Sequence, residues 1–114
     1  MSELARERCQ SCTADTPTLS AAEAAGLLGQ LDGDWAIDDA CLRRRLSLAN
    51  FAAAFTLATR VALIAERESH HPDLCVGWGY LALGLTTHAA GGLTRNDFIL
   101  AAKIDRVAAA EPQS

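Results

Sequence analysis

The spacing of apolar residues changes at Pro72, and this change constrains the fold more than any other feature of the sequence. Before it, apolar residues recur every three or four positions over residues 51–65, which is the spacing of an amphipathic helix. After it, apolar residues alternate with others over residues 74–78, which is the spacing of a β-strand. Because a proline disfavours helical geometry at the residue before it, we expect the helix to end before the pair His70-His71. The chain therefore contains both helices and strands, with a helix-to-strand corner at this point.

The region ahead of the long helix is predicted to form a short helix and a hairpin. Ser20 and Glu23 have the spacing of a capping box, so a first helix begins there and ends near Gly33. A hairpin follows, with its turn at Asp38-Asp39. One face of its second strand is apolar, and Arg44 lies on that face, where its guanidinium must reach solvent or find a partner.

The remaining elements are a long helix, a second hairpin and a last helix. Asn50 suits the N-cap of the long helix. The buried stripe of that helix is predicted to comprise Phe51, Phe55, Ala58, Ala62 and Ala65, widened by Leu57, Val61 and Ile64. The second hairpin turns near Gly79, and Thr94 caps a last helix with Asp97 at its third position. The predicted element order is α-β-β-α-β-β-α.

Length and composition indicate one domain. A chain of 114 residues that is 50% hydrophobic and 21% charged has room for a single core. We expect a flexible N-terminal arm over residues 1–17, a domain over 18–110 and a C-terminal tail over 111–114. A net charge of −4 argues against binding to a phosphate backbone, so we expect no nucleic-acid partner. No apolar run approaches a membrane span and the first residues lack a secretory signal, so we expect no membrane association and a cytoplasmic location.

Of the four cysteines, only Cys9 and Cys12 have the spacing of metal or redox ligands. A zinc ribbon needs a second close pair, which the sequence lacks, and a reducing cytoplasm disfavours disulfides. We interpret this pair as free thiols in the N-terminal arm, with a redox or metal role as the alternative. Cys41 and Cys75 are interpreted as small strand residues.

The chain has three histidines, His70, His71 and His88. The first two follow the long helix, at the corner with a strand. Antiparallel strands bring together residues equidistant from their turn, so a turn near Gly79 brings His88 close to the other two. Asp97 heads the inward face of the last helix, where the chain returns from His88. Imidazole exchanges protons near neutral pH, so the cluster favours acid/base chemistry.

These residues carry a resemblance to a known family. With the spacing Glu66-x3-His70-His71-Pro72-x5-Trp78-x9-His88-x8-Asp97, the chain resembles the pterin-4a-carbinolamine dehydratases, Trp78 standing where tyrosine is usual. Residues that match beyond this signature include Trp35, Phe51, Phe55, Thr59 to Ala62, Thr87, Gly92 to Thr94 and Ile104, so the resemblance covers roughly Leu19 to Val107. Ser69 and Leu74 depart from the family pattern, and both bear on pocket polarity and substrate preference.

The resemblance implies an α+β fold with a four-stranded antiparallel sheet and helices packed on one face, in a homodimer or homotetramer. It implies a hydro-lyase that dehydrates 4a-hydroxytetrahydropterin to quinonoid dihydropterin and water. Such an enzyme would support tetrahydropterin recycling for an aromatic amino acid hydroxylase. No metal or cofactor is expected. Histidines suit this reaction, because hydroxide departure needs an acid and formation of the carbon–nitrogen double bond needs a base.

The resemblance also implies roles for individual residues. The predicted catalytic residues are His70, His71, His88 and Asp97, and the predicted substrate-binding residues are Glu66, Pro72 and Thr87. We expect His71 to be the principal acid/base, His70 and His88 to bind the pterin and pass protons, and Asp97 to orient an imidazole. The alternatives are an Asp97 that only stabilises the helix N-terminus and a Glu66 on a solvated helix face. We expect Trp78 to pack in the protein rather than to stack on the substrate.

Two other classes of function stay open. Three histidines with Asp97 could form a metal site, since zinc favours imidazole ligands. The chain could also be a non-catalytic dimerisation or coactivator-type binding module, because vertebrate members of the family act as dimerisation partners of a transcription factor.

Overall fold

The computed structural model describes residues 3–110, and these form three helices and four strands in the predicted order. The helices are α1 (Ala21–Leu28), α2 (Phe51–Glu68) and α3 (Arg95–Ala108), and the strands are β1 (Ala36–Asp38), β2 (Cys41–Ser47), β3 (Asp73–Gly77) and β4 (Tyr80–Leu85). A 3₁₀ turn, Glu3–Arg6, precedes α1. Each helix in residues 3–110 falls short of the length and apolar character that a bilayer crossing requires. The predicted C-terminal tail, 111–114, lies outside the described residues.

The four strands form one antiparallel sheet in the order β1-β2-β4-β3. In its central pair, Leu42 lies opposite Leu85 and Leu46 lies opposite Leu81. These four leucines share one face and are buried, and α2 contacts β3 and β4. The predicted α+β fold, with helices packed on one face of a four-stranded sheet, is confirmed.

The buried face of α2 differs from the predicted stripe. It comprises Ala54, Leu57, Ala58, Val61, Ile64 and Ala65. Phe51 and Phe55 are 50% and 59% exposed, and their rings stack outside the helix with centroids 6.2 Å apart. Ala62 also faces solvent. The stripe is centred on Val61, which lies roughly 100° around the helix from Ala62 at 3.6 residues per turn. Because apolar residues occur on both faces of α2, the sequence alone does not identify the centre of the buried stripe.

Two predicted boundaries in the first half are also wrong. The first helix ends at Leu28, and Gly33 instead lies against α3, where its N–H donates to Asp105 Oδ2 over 3.0 Å. A side chain at this position would overlap the Arg44 guanidinium and the Asp105 carboxylate, so the glycine leaves room for that ion pair as it stands. The hairpin turns at Asp39-Ala40, one residue later than predicted, where φ is 49° and 58°.

The N-terminal segment, predicted to be a flexible arm, packs on the domain over part of its length. Leu4 is fully buried, and the 3₁₀ turn contacts α3. Farther along, the Cys9 N–H donates to Glu68 Oε1 and the Gln10 N–H donates to Asn96 Oδ1, both over 2.9 Å. These contacts join distant residues through hydrogen bonds, which apolar periodicity does not reveal.

Candidate active site

A cavity of about 240 Å³ lies where the end of α2 meets the end of β4. All three histidines line it, together with Ser69, Thr86 and Thr87. The imidazoles that the sequence predicts to converge therefore do meet at one cavity. A larger groove of about 510 Å³ between α2 and α3 is lined by cations and has no histidine, so size alone does not select the candidate site.

The corner after α2 sends two adjacent imidazoles in different directions. Ser69 ends the helix in the left-handed conformation, with φ 53°, and its N–H bonds back to the last turn. The chain then leaves the helix axis before β3 begins at Asp73. The His70 side chain is 11% exposed and the His71 side chain is 59% exposed. One ring thus reaches into the protein and the other stays at the mouth of the cavity.

His70 is held by a fully buried carboxylate. Its Nε2–H donates to Asp97 Oδ1 over 2.6 Å, because a carboxylate anion only accepts hydrogen bonds. Asp97 is 0% exposed. This donation leaves Nδ1 of a neutral His70 as the nitrogen that can accept a proton. The predicted orienting role of Asp97 thus has the geometry that it needs.

The other oxygen of Asp97 is fixed by two further donors. The Thr87 hydroxyl and the Thr94 N–H each donate to Asp97 Oδ2 over 2.9 Å. Since the single Thr87 hydroxyl proton is used there, the Thr94 hydroxyl donates to Thr87 over 2.8 Å. Asp97 therefore also stabilises the start of α3, which is the structural alternative considered from the sequence. Because the Thr87 hydroxyl donates its proton to Asp97, it acts on the site by positioning that carboxylate.

His71 has a carboxylate partner of a different kind. Its Nε2–H donates to Glu66 Oε2 over 2.5 Å, one turn earlier at the end of α2. The two side chains are 59% and 74% exposed, so water screens their attraction. Glu66 orients the His71 ring and does not itself line the cavity.

His88 lies on a tight turn after β4. The Thr87 N–H donates to Gly92 O over 3.1 Å and the Gly91 N–H donates to Thr87 O over 3.0 Å. Gly91 has φ 79°, which a glycine adopts without strain. The turn presents the exposed His88 side chain at the cavity rim.

Two other predicted residues lie outside the cavity lining. Pro72 is half-buried and shapes the corner between α2 and β3. Trp78 lies at the opposite end of the second hairpin and is 74% exposed, so the prediction that it packs in the protein is wrong. It occupies the turn between β3 and β4, where Gly77 pairs with Tyr80.

Sequence reasoning missed several residues that line the cavity: Gln10, Ser11, Cys12, Thr86, Ala89 and Asn96. The first three belong to the N-terminal segment, which has no apolar periodicity. The one available signal was the position of Asn96 beside Asp97, on the helix end that faces the histidines.

The cysteine pair and the histidines are not grouped as metal ligands in the part of the chain that the structure describes. Burial, with the nearby charge of Glu68, raises the pKa of the Cys9 thiol to about 12, so this sulfur is protonated at neutral pH and is a poor ligand. Within residues 3–110, no three side chains among His, Cys, Asp and Glu are grouped to hold a metal ion. The metal-site alternative therefore has no ligand set in the described structure.

Comparison with known proteins identifies the family. Residues 17–107 match the family model described as pterin 4 alpha carbinolamine dehydratase. The chain belongs to this family. The resemblance drawn from the histidine signature is thereby confirmed.

Relatives in this dehydratase family match nearly the whole chain. A protein of Rubrobacter xylanophilus is 42% identical over 107 residues, covering 94% of this chain and 100% of the relative. One of Nitrosospira multiformis is 43% identical over 103 residues, covering 90% of both. The names of both relatives carry a provisional assignment as pterin-4-alpha-carbinolamine dehydratase.

Solved structures agree with the family fold. A crystal structure described as a transcriptional coactivator/pterin dehydratase from Brucella melitensis has a TM-score of 0.75 and 30% identity, covering 81% of this chain and 99% of that one. A pterin dehydratase-like protein described as a RuBisCO assembly factor of the alpha-carboxysome has a TM-score of 0.54 at 19% identity, covering 67% of this chain and 88% of that one. The second likeness concerns the fold alone.

Proposed function

We propose that this chain dehydrates 4a-hydroxytetrahydropterin, the 4a-carbinolamine, to quinonoid dihydropterin and water. The observation that carries the proposal is the meeting of three imidazoles at one cavity, with His70 held by the buried Asp97 carboxylate. Membership of the dehydratase family supports the same reaction.

The reaction is an elimination that acid and base groups can accelerate. The C4a hydroxyl takes a proton and leaves as water, while the adjacent ring nitrogen loses its proton and forms a double bond to C4a. Protons and electrons balance within the substrate. The protein must therefore give one proton, accept another and hold a flat bicyclic ring between the two groups.

The exposure of each imidazole supports a division of roles. His71, at the cavity mouth, acts as the imidazolium: its Nε2–H stays bonded to Glu66, its Nδ1–H protonates the leaving hydroxyl, and solvent returns that proton after each turnover. His70, with Nε2–H donated to Asp97, presents Nδ1 for the ring proton or for a hydrogen bond to the pterin. His88, on the turn after β4, also lines the cavity and binds the ring. Glu66 supports substrate binding indirectly, by orienting the His71 ring. Pro72 does so by shaping the corner between α2 and β3 that carries this ring.

The proposed setting is a cytoplasmic recycling step after an aromatic amino acid hydroxylase, because hydroxylation that consumes a tetrahydropterin leaves the carbinolamine. We also propose that the protein is a homodimer or homotetramer. The stacked and exposed Phe51 and Phe55 on α2 support self-association, since exposed aromatic patches are typical of protein interfaces.

A coactivator-type binding module is the second candidate function. The Brucella melitensis neighbour is described both as a transcriptional coactivator and as a pterin dehydratase. The exposed aromatic face of α2 would suit a protein partner as well as a second copy. A chain with this function alone would bind a protein stably and leave the carbinolamine untouched.

One assay tests the dehydratase proposal. The 4a-carbinolamine is generated in a hydroxylase reaction, and formation of quinonoid dihydropterin is followed with and without the protein. We expect a faster rate with the wild-type chain and with Gln30→Ala, a change at an exposed position just after α1 and outside the cavity lining. Equal rates with and without wild-type protein would contradict the proposal.

A further inference from the structure

One wall of the histidine cavity comes from residues ahead of the family domain. Gln10, Ser11 and Cys12 line the cavity together with the three histidines. The family match begins at residue 17, so these three residues lie outside it. We call them the arm wall.

Asn96 holds the arm wall through both ends of its side-chain amide. Its Nδ2 donates to Gln10 O over 2.6 Å, and its Oδ1 accepts from the Gln10 N–H over 2.9 Å. Nδ2 also lies 3.2 Å from Cys12 Sγ. Asn96 is 5% exposed, and a buried amide without partners is costly, so its burial depends on the docked arm.

A second attachment lies one residue before the wall. The Cys9 N–H donates to Glu68 Oε1 over 2.9 Å, and Glu68 Oε2 pairs with Arg8 at 3.1 Å. Glu68 is the last residue of α2 and Asn96 lies in the first turn of α3. The segment is therefore attached to the same two helix ends that carry His70 and Asp97.

We infer that the arm wall, positioned by Asn96, sets the affinity and size selectivity of the cavity for tetrahydropterins. The inference rests on the proposed function. The wall offers small side chains, Ser11 and Cys12, to a cavity of about 240 Å³, so a larger side chain would take space from a bound ring. The wall contributes no imidazole or carboxylate, so it acts on binding and leaves proton transfer to the histidines.

Kinetic constants of three variants test the inference. Ser11→Trp places bulk on an exposed wall position, and Asn96→Ala releases the attachment. Ala14→Trp is the matched control, since it adds the same bulk to an exposed arm position outside the cavity lining. We expect KM to rise about tenfold or more in the first two with kcat within about twofold, and both constants to stay at wild-type values in the control. Because Asn96 is buried and its variant can lose stability, Ser11→Trp decides the result if Asn96→Ala fails to fold.

Thiol labelling gives a binding readout that does not depend on turnover. Iodoacetamide labelling of the wild-type protein is followed by peptide mass spectrometry with and without 7,8-dihydrobiopterin. We expect the pterin to slow labelling of Cys12 and to leave the exposed Cys75 of β3 unchanged. Cys9, with its pKa raised to about 12, should label slowly in both conditions.

The outcomes separate the two proposals. If the wild type is active, KM is unchanged in Ser11→Trp and the pterin does not protect Cys12, then the inferred role of the arm wall is wrong. The proposed dehydratase function would still stand. A wild-type chain with no dehydratase activity contradicts the proposed function. It also contradicts the inferred role of the arm wall, which rests on that function.

Discussion

The Nε2–H of His70 donates to Asp97 Oδ1 over 2.6 Å, although the two residues lie 27 positions apart in the chain. His70 lies at the corner after α2, and Asp97 lies in the first turn of α3. Asp97 is itself fixed by Thr87 and Thr94, so the start of α3 determines the orientation of an imidazole at the cavity. A residue that stabilises a helix end thereby also positions a candidate catalytic group.

Asp97→Asn should reverse the tautomer of His70. The Thr87 hydroxyl and the Thr94 N–H need an acceptor, so the new amide oxygen faces them and the NH₂ group faces His70. Nε2 must then accept, which moves the proton of a neutral ring to Nδ1. We expect kcat to fall roughly 10²-fold, within the usual range for general acid–base groups. Steady-state dehydratase kinetics measure the loss, and ¹⁵N NMR of the imidazole reports the tautomer.

Thr87→Val separates this effect from a loss of stability. The valine removes one donor to Asp97 and leaves the Thr94 hydroxyl without its acceptor, but the His70 contact is kept. We expect the free energy of unfolding to fall by about 1–3 kcal/mol with a much smaller change in kcat. A kcat loss as large as that of Asp97→Asn would indicate that both variants act through general loosening of the site.

His71→Ala should remove most of the activity and leave the fold unchanged. The side chain is 59% exposed, so its loss should change the free energy of unfolding by no more than about 0.5 kcal/mol. If His71 protonates the leaving hydroxyl, kcat should fall by about 10²-fold or more. Urea unfolding and the carbinolamine assay measure the two quantities. Near-normal turnover in this variant would assign the acid role to another group.

Local rules explain why much of this site could be predicted from sequence. The change of apolar spacing at Pro72 marks the corner between α2 and β3. The register of β3 against β4 follows from the two-residue turn Trp78-Gly79. That register carries His70 and His71 to the end of β4 that leads to His88. Each step involves neighbours in the chain or residues related by a hairpin, so the sequence alone predicts the convergence.

The features that could not be predicted depend on contacts between distant segments. Gln10 meets Asn96, which is 86 positions away, through an amide whose partners no periodic pattern specifies. The outward direction of Phe55 depends on which side of α2 lies closer to the sheet, and apolar residues occur on both sides. Gly33 was interpreted as a helix end, although its role is to admit Asp105 from α3.

Phe55→Asp should shift the protein towards monomers. Phe55 is 59% exposed and stacks on Phe51, so it contributes little to the core of one chain and much apolar area to the outer face of α2. We expect light scattering after gel filtration to give a dimer or tetramer mass for the wild type and a lower mass for the variant. Ala22→Asp, on the exposed side of α1, is the control and should keep the wild-type mass. A monomeric wild type would contradict the proposed assembly.

Arg44→Met should be more destabilising than the double variant Arg44→Met/Asp105→Asn. Arg44 lies on the buried face of β2, as predicted, and its guanidinium pairs with Asp105 at 2.5 Å, the side chains being 14% and 3% exposed. The Trp35 Nε1–H donates to the same carboxylate over 2.8 Å. Removing only the cation leaves a buried carboxylate and should cost about 3 kcal/mol, whereas the neutral amide should recover at least about 1 kcal/mol. Denaturant unfolding of both variants checks the difference, and equal losses would contradict it.

Glu68→Gln should destabilise the protein at pH 7, and the loss should become smaller as the pH is lowered. Burial alone would raise the pKa of Glu68, but the Cys9 N–H and the charges of Lys103 and Arg8 outweigh it and hold the pKa below its ordinary value of 4.5. A carboxyl group with a lowered pKa stabilises the fold above the unfolded-state value, and this contribution disappears as pH falls through the folded-state value. The difference in unfolding free energy between wild type and variant should therefore shrink steadily below about pH 4.5. A pH-independent loss in Glu68→Gln would mean that hydrogen bonding rather than charge holds the arm to α2.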